Sequence, residues 1–241
     1  MSDAVADFVA RQPQINKRRR ILRPMLRAVG SLVCKVEVTG LEHVPDCQTP
    51  TILMMNHIST IDPIVFTAII ENRYVISMAK AETLENWFLR RIVQLWGNFV
   101  IRRGEVDREA LNNAIDLLKN QQLVLIAPEG TRNPEGLEAA YSGIAYIAHK
   151  SNAIILPAAI SGAQDWSKRL TRFKRAYARV NIGRPFRFRL PEGKRLTRPI
   201  REQMTQEAMY QLATAFPDEY ATLRGVYSDL SQATTDYLEF V

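Results

Sequence analysis

Residues 51–62 read Thr51-Ile52-Leu53-Met54-Met55-Asn56-His57-Ile58-Ser59-Thr60-Ile61-Asp62, and this stretch decides how the chain folds. Thr51 to Met55 is a short apolar-rich run set off by Pro50 before it and Asn56 after it, the pattern of a buried strand. A polar turn follows, and Pro63 to Ile70 then reads as a helix. Working outward, strands are expected at Tyr74–Met78, Asn98–Ile101, Leu123–Ala127 and Ala153–Ile160, with a final pair at Val180–Ile182 and Phe186–Phe188. Helices are expected at Thr83–Leu95, Glu105–Asn120, Leu137–Lys150 and Gln203–Phe216. Strands alternating with helices of this length imply an α/β fold, a central and largely parallel sheet flanked by helices on both faces.

Upstream of the quoted stretch the period changes. Val36 and Val38 alternate as in a strand before a turn at Gly40. Further back, Ile21, Leu22, Met25, Leu26, Val29, Leu32 and Val33 recur at helical spacing, with Arg19, Arg20, Arg23 and Arg27 mostly off that stripe. Pro24 is expected to start or kink this helix. Residues 1–14 show no strong period and read as a loosely held leader. The domain reading is a basic amphipathic helical segment over 1–34, followed by one domain over 35–241. A stripe does not say what it faces: an anionic membrane interface and the protein's own core suit it equally.

Composition narrows the class. The 241 residues are 46% hydrophobic and 24% charged, which excludes a disordered or fibrous chain. Lys plus Arg exceed Asp plus Glu by 32 to 25, a net charge of +7, so anionic partners are expected. Two cysteines, Cys34 and Cys47, are too few for a disulfide framework or a four-cysteine zinc site. No run approaches the ~18 consecutive apolar residues of a membrane-spanning helix. The basic run Lys17 to Arg20 leads into an apolar stretch broken by Arg23, Pro24 and Arg27, unlike a signal peptide. The expected location is cytoplasmic, soluble or peripheral.

In such a sheet the chemistry gathers on loops at the carboxyl ends of strands. Two polar clusters fall there: Asn56 to Asp62, and Pro128-Glu129-Gly130-Thr131-Arg132. His57 and Asp62 are five apart on a turn entering a helix, so the carboxylate is able to curl back to one imidazole nitrogen and leave the other for a substrate. That is the orienting pair of a general base. Ser59 and Thr60 are nucleophile candidates by type, but helix-starting turns favour both for capping, the reading preferred here. Arg132 offers a planar, permanently charged fork suited to phosphate, and Gly130 removes the side chain that would hold backbone away from it. A metal-dependent hydrolase is disfavoured, because one histidine lies near these clusters and metal sites need three or four converging ligands.

Taken together and in this order, Asn-His-x4-Asp and Glu-Gly-Thr-Arg resemble the glycerophospholipid acyltransferases of the 1-acylglycerol-3-phosphate acyltransferase type. Gly97-Asn98-Phe99-Val100-Ile101-Arg102-Arg103 is similar to the family's glycine, apolar run and arginine block, and Ile155-Leu156-Pro157-Ala158 to its apolar-proline strand. The resemblance spans roughly Val38 to Gly183 and makes 35–241 an acyltransferase domain. It implies acyl transfer from a thioester, on coenzyme A or acyl carrier protein, to the free hydroxyl of a lysophosphatidic acid-type acceptor in phospholipid biosynthesis, with no cofactor. His57 and Asp62 are the implied catalytic pair. Lys80, Arg103, Glu129, Gly130, Thr131 and Arg132 are the implied substrate-binding residues. Trp87, Phe88, Leu95 and Trp96 are candidates for an acyl groove. Arg102 replaces a common Asp or Asn, Tyr141 stands near a position often held by Lys, and the Phe-Phe-Gly segment is absent. Glycerol 3-phosphate or another lyso-lipid therefore stands as an alternative acceptor.

Between Lys168 and Arg201 thirteen cations face one acid, Glu192. An anionic membrane surface is the expected partner of this run, which places the protein on the inner membrane face. Nucleic acid is the rival and is not expected, since the run lacks interleaved stacking aromatics or a known module. A non-catalytic lipid- or nucleic-acid-binding protein is the alternative from a different class, and the intact His57 and Asp62 argue against it.

Overall fold

A computed structural model describes residues 1–80, 87–101 and 108–241. The elements run α1 (Asp3–Val33), β1 (Cys34–Thr39), β2 (Thr51–Met55), α2 (Asp62–Ile69), β3 (Val75–Lys80), α3 (Trp87–Trp96), β4 (Phe99–Ile101), α4 (Arg108–Lys119) and β5 (Leu123–Ile126). They continue with α5 (Gly143–Ser151), β6 (Ile154–Ser161), α6 (Trp166–Leu170), β7 (Ala176–Ile182), β8 (Phe186–Phe188), α7 (Arg198–Thr214) and β9 (Leu238–Phe240).

The strands form one sheet in the order β1-β7-β6-β2-β5-β3-β4, with β8 beside β6 and β9 beside β8. From β6 to β4 every neighbouring pair is parallel, while β7 runs antiparallel to β6 and carries β1 parallel to itself. This is the mostly parallel α/β sheet that the alternation predicts. All five residues of β2 are buried, because helices cover both faces. Ile52 and Met54 join one core cluster with Val124, Ile155 and Phe186, while Leu53 and Met55 join the other with Leu125, Leu156 and Phe66. The period-two alternation of a strand produces that division.

The topology also fixes where a site lies. After β2 the chain moves to the β5 side; after β5 it crosses to the other flank as β6. Strand β2 is thus the switch point, and the carboxyl ends of β2, β5 and β6 share one edge. Because β7 and β1 run the opposite way, their first residues come to that same edge, with Cys34 paired to Ala176.

Several elements differ from expectation. The leader is not loose: α1 starts at Asp3, capped by the Ser2 hydroxyl, and buries Val5, Phe8 and Ile15. Its prolines, Pro13 and Pro24, both lie on the exposed side, where carbonyls left without an N–H donor meet water. Arg19 is fully buried with its guanidinium packed by Phe8, Tyr74 and Trp96, its Nε donating to the Trp96 carbonyl at 2.7 Å. Burial lowers its pKa to about 10. Helix α5 begins at Gly143, not Leu137, because Leu137 exchanges backbone bonds with the distant segment at Leu223 (3.0 Å) and Val226 (3.0 Å). Strands β7 and β8 do not pair with each other; both pair with β6. The expected starts of the helices at Thr83 and Glu105 lie outside the described residues.

The thirteen cations of 168–201 do not form one surface. Lys168 to Arg175 precede β7 at the edge shared with β2, Arg179 pairs with Glu37 and Glu219, and Arg184 onward follows the far end of β7. Among the described residues no helix is long and apolar enough to cross a membrane.

Candidate active site

Asn56, the first residue past β2, sets up the turn. Its Nδ2 donates to the Ile160 carbonyl at 2.9 Å and its Oδ1 accepts from the Ile160 N–H at 2.7 Å, so a side chain takes the place of the next rung of the β2–β6 ladder. The backbone is thereby free to turn away with His57.

Asp62 opens α2 and is fully buried. Its Oδ2 accepts three N–H donors: His57 Nδ1 at 2.9 Å, and the backbone of Ile58 at 2.8 Å and Ser59 at 2.7 Å. The helix N-terminus adds its positive end to the same carboxylate. Since Nδ1 faces an acceptor-only carboxylate, the ring proton sits on Nδ1 and the Nε2 lone pair is left free. The His57 side chain keeps 19% of its surface exposed, enough for a substrate to reach it. Ser59 does not cap α2; its hydroxyl is buried without a partner among the described residues, and the carboxylate of Asp62 serves the loop's N–H groups instead.

The second loop leaves β5 alongside, since Met54 pairs with Ile126. Glu129 is buried at 4% exposure. Its Oε2 accepts from Asn133 Nδ2 and, at 3.2 Å, from the Glu138 N–H, while Oε1 has no partner among the described residues. Burial pushes its pKa up; those two hydrogen bonds and the nearby His57 pull it down without cancelling the effect. Gly130 sits at φ +69°, and a Cβ there would lie 3.0 Å from the Tyr141 ring, so the tight turn requires glycine. Thr131 and Arg132 are exposed, and Arg132 has no ion-pair partner among the described residues.

One residue joins the loops. The Asn133 N–H donates to the His57 carbonyl at 2.7 Å while its side chain holds Glu129. Arg132 is therefore one residue away from a direct hydrogen bond to the dyad's own backbone. Sequence reasoning missed Asn133; its position just past the motif and before Pro134 signals only a turn. The remaining expectations divide. Lys80 ends β3 at the same edge, and its side chain lies outside the described residues, as do Arg102 and Arg103 and the side chains of Trp87 and Phe88. Trp96 is a core residue, 2% exposed, donating its indole N–H to the Val75 carbonyl at 2.8 Å at the opposite edge of the sheet. His43 is also at that far edge, 3.0 Å from the Ile182 carbonyl. No group of three His, Cys, Asp or Glu able to hold a metal occurs among the described residues.

Known proteins share this outline. The chain is 30% identical over 135 residues to a 1-acyl-sn-glycerol-3-phosphate acyltransferase of Borreliella burgdorferi, covering 55% of this chain and 53% of that protein. It is 28% identical over 160 residues to the Bacillus subtilis protein of the same name, covering 66% of this chain and 78% of that one. It thus spans about half the length of the first relative and more of the second. The crystal structure of the 1-acyl-sn-glycerophosphate acyltransferase PlsC from Thermotoga maritima superposes with a TM-score of 0.54 at 21% identity, over 79% of this chain and 78% of that one, a likeness of fold. The acyltransferase family model matches residues 35–161, a span that runs from the second residue of β1 to the last of β6 and takes in both loops, and the chain belongs to the acyltransferase family.

Proposed function

We propose that this chain transfers an acyl group from a thioester, on coenzyme A or acyl carrier protein, to the free hydroxyl of a lysophosphatidic acid-type acceptor, giving phosphatidic acid. The observation that carries the reading is the His57–Asp62 pair tied through Asn133 to the Glu-Gly-Thr-Arg loop, whose exposed Arg132 has no ion-pair partner among the described residues. The names of the matched relatives support the acceptor class.

In this reading Arg132, with Arg103 and Lys80, holds the acceptor phosphate, and the backbone of Gly130 and Thr131 lets it approach. The free hydroxyl then lies at His57 Nε2. As its oxygen attacks the thioester carbonyl, Nε2 takes the proton, and Asp62 stabilises the imidazolium. The tetrahedral intermediate collapses by breaking the C–S bond, and the departing sulfur takes the proton back from His57. Ester and thiol are the products, and no cofactor enters. Glu129, whose Oε1 has no partner among the described residues, orients Arg132 or a glycerol hydroxyl in this reading.

The reading places the protein on the inner face of a membrane, with 35–241 as the catalytic domain and 1–34 contacting the surface. Ile21, Met25, Val29 and Leu32 support this, since they form one helical stripe that remains 59–73% exposed while the first half of α1 is packed on the core. Mass spectrometry of products from a panel of lyso-acceptors, offered with each thioester donor, tests the assignment. His57→Ala should lower turnover by ~10²- to 10⁴-fold with the fold intact. Arg132→Ala should chiefly raise KM for the acceptor. Full activity of purified His57→Ala removes the mechanism.

A further inference from the structure

We propose that the turn joining α6 to β7 is a membrane wedge: Phe173 inserts into an anionic bilayer while Lys168, Arg169, Arg172 and Lys174 grip its headgroups, docking the active edge of the sheet on the lipid. The inference rests on the lipid-acceptor reading above and adds a contact site to it.

The turn is built to present its ring. Lys174 N–H donates to the Arg169 carbonyl at 2.9 Å and Phe173 N–H to the Leu170 carbonyl at 3.0 Å, the paired bonds of a Schellman stop with Phe173 at the left-handed position. Phe173 has φ +55° and is 100% exposed. Glycine is the usual residue there, and a bulky side chain at positive φ is disfavoured. The fold gains no packing from this ring to offset that penalty. An aromatic presented to water at a backbone position that disfavours it is explained by a partner outside the chain, and Leu170 in the same turn is also 45% exposed.

The charges around the ring select the partner. Lys168, Arg169, Arg172 and Lys174 line a surface depression of about 270 Å³ with a single acid, Asp165, which pairs with Lys168 at 3.4 Å. Four cations beside an exposed apolar ring match an anionic interface, headgroups outside and acyl chains beneath. The turn's location is also consistent. Ala176, three residues past Phe173, pairs with Cys34 at the edge where His57 lies, and the charges of Arg175 and Asp62 both reach the buried Cys34 thiol. Leu32, exposed at the end of α1, is two residues before Cys34, so the helix stripe ends toward the same edge of the sheet.

The test uses the full chain and vesicles of phosphatidylcholine with or without phosphatidylglycerol. Phe173→Gly should partition into anionic vesicles about tenfold more weakly, the lower end of the value of burying one Phe side chain, and should melt no lower than the parent. Arg172→Ala and Lys174→Ala should each weaken partitioning about fivefold. Phe173→Trp should add a blue-shifted, bromolipid-quenched emission on anionic vesicles only. Turnover on a monomeric short-chain acceptor should be unchanged in all four variants. A parent inactive on every acceptor would sink the acyltransferase reading while leaving the partition measurement to judge the wedge. If the indole introduced by Phe173→Trp keeps a water-like emission while the protein is vesicle-bound, the wedge is overturned. So it is by a raised KM for the acyl donor in Arg172→Ala with partitioning unchanged, which would assign the cations to the donor's phosphates.

Discussion

Asp62→Asn separates the two jobs of the buried carboxylate. Its Oδ2 serves the His57 ring and the N–H groups of Ile58 and Ser59, so Asp62→Ala would leave two buried backbone donors unpaired at about 1–3 kcal/mol each. Set against a total stability of roughly 5–15 kcal/mol, that loss would confuse folding with catalysis. Asparagine keeps one carbonyl oxygen. Placed where Oδ2 is now, it still accepts from both N–H groups and from the ring, and its NH2 falls where Oδ1 lies buried without a partner among the described residues. The expected stability loss is then about 1–3 kcal/mol, a few degrees of Tm at this size. If the amide turns the other way, its NH2 faces Nδ1, the ring proton moves to Nε2 and the base is lost. In either pose no negative charge remains to stabilise the imidazolium. Turnover should therefore drop by much of the ~10²- to 10⁴-fold attributable to general-base catalysis. Thiol release from the thioester donor, measured on purified protein well below its melting temperature, reads kcat, and a melting curve reads the fold. A folded Asp62→Asn protein turning over at the parent's rate would refute the dyad.

Two more outcomes follow from the second loop. Burial raises the Glu129 pKa, so the folded chain binds this proton more tightly than the unfolded chain, and its ionisation opposes folding as pH rises above the unfolded value of about 4.3. Glu129→Gln should accordingly melt higher than the parent at neutral pH, with the advantage fading in acid, while acyl transfer falls; a parent that melts higher at neutral pH contradicts the assignment. Asn133→Ala removes the bond to Glu129 but keeps the backbone bond to His57. It should cost about 1.5–3 kcal/mol in stability and raise KM for the acceptor more than it lowers kcat. An unchanged KM would mean that Asn133 does not position the loop.

Where local pattern and tertiary environment agree, the sequence is readable. Strand β2 and both polar clusters follow from an apolar-rich run, a turn and the strand–helix alternation, because a strand buried on both faces is largely apolar. The first turns of α1 are not readable in this way: Val5, Phe8 and Ile15 are too sparse to show a period, and their packing against α3, α4 and Phe99 of β4 holds the helix there. Spacing overextends the start of α5 for a related reason, since Leu137 fits the helical period but its backbone bonds go to Leu223 and Val226. Strand β9, Leu238-Glu239-Phe240, alternates apolar and polar but is too short for that alternation to signal a strand.

The sequence alone shows which residue types fall on the two polar loops: a histidine five residues before an aspartate after one strand, and a glutamate, glycine and arginine after another. Spacing along one turn pairs the histidine with the aspartate but says nothing of how the loops meet. Tertiary structure decided what lies between those clusters and around them. It bonds Asn133 to both loops, puts the Trp96 indole in the core, and sends the first cations of the basic run to the active edge and the later ones to the far edge. These are contacts between segments distant in sequence, set by strand order and direction, and no local pattern encodes them.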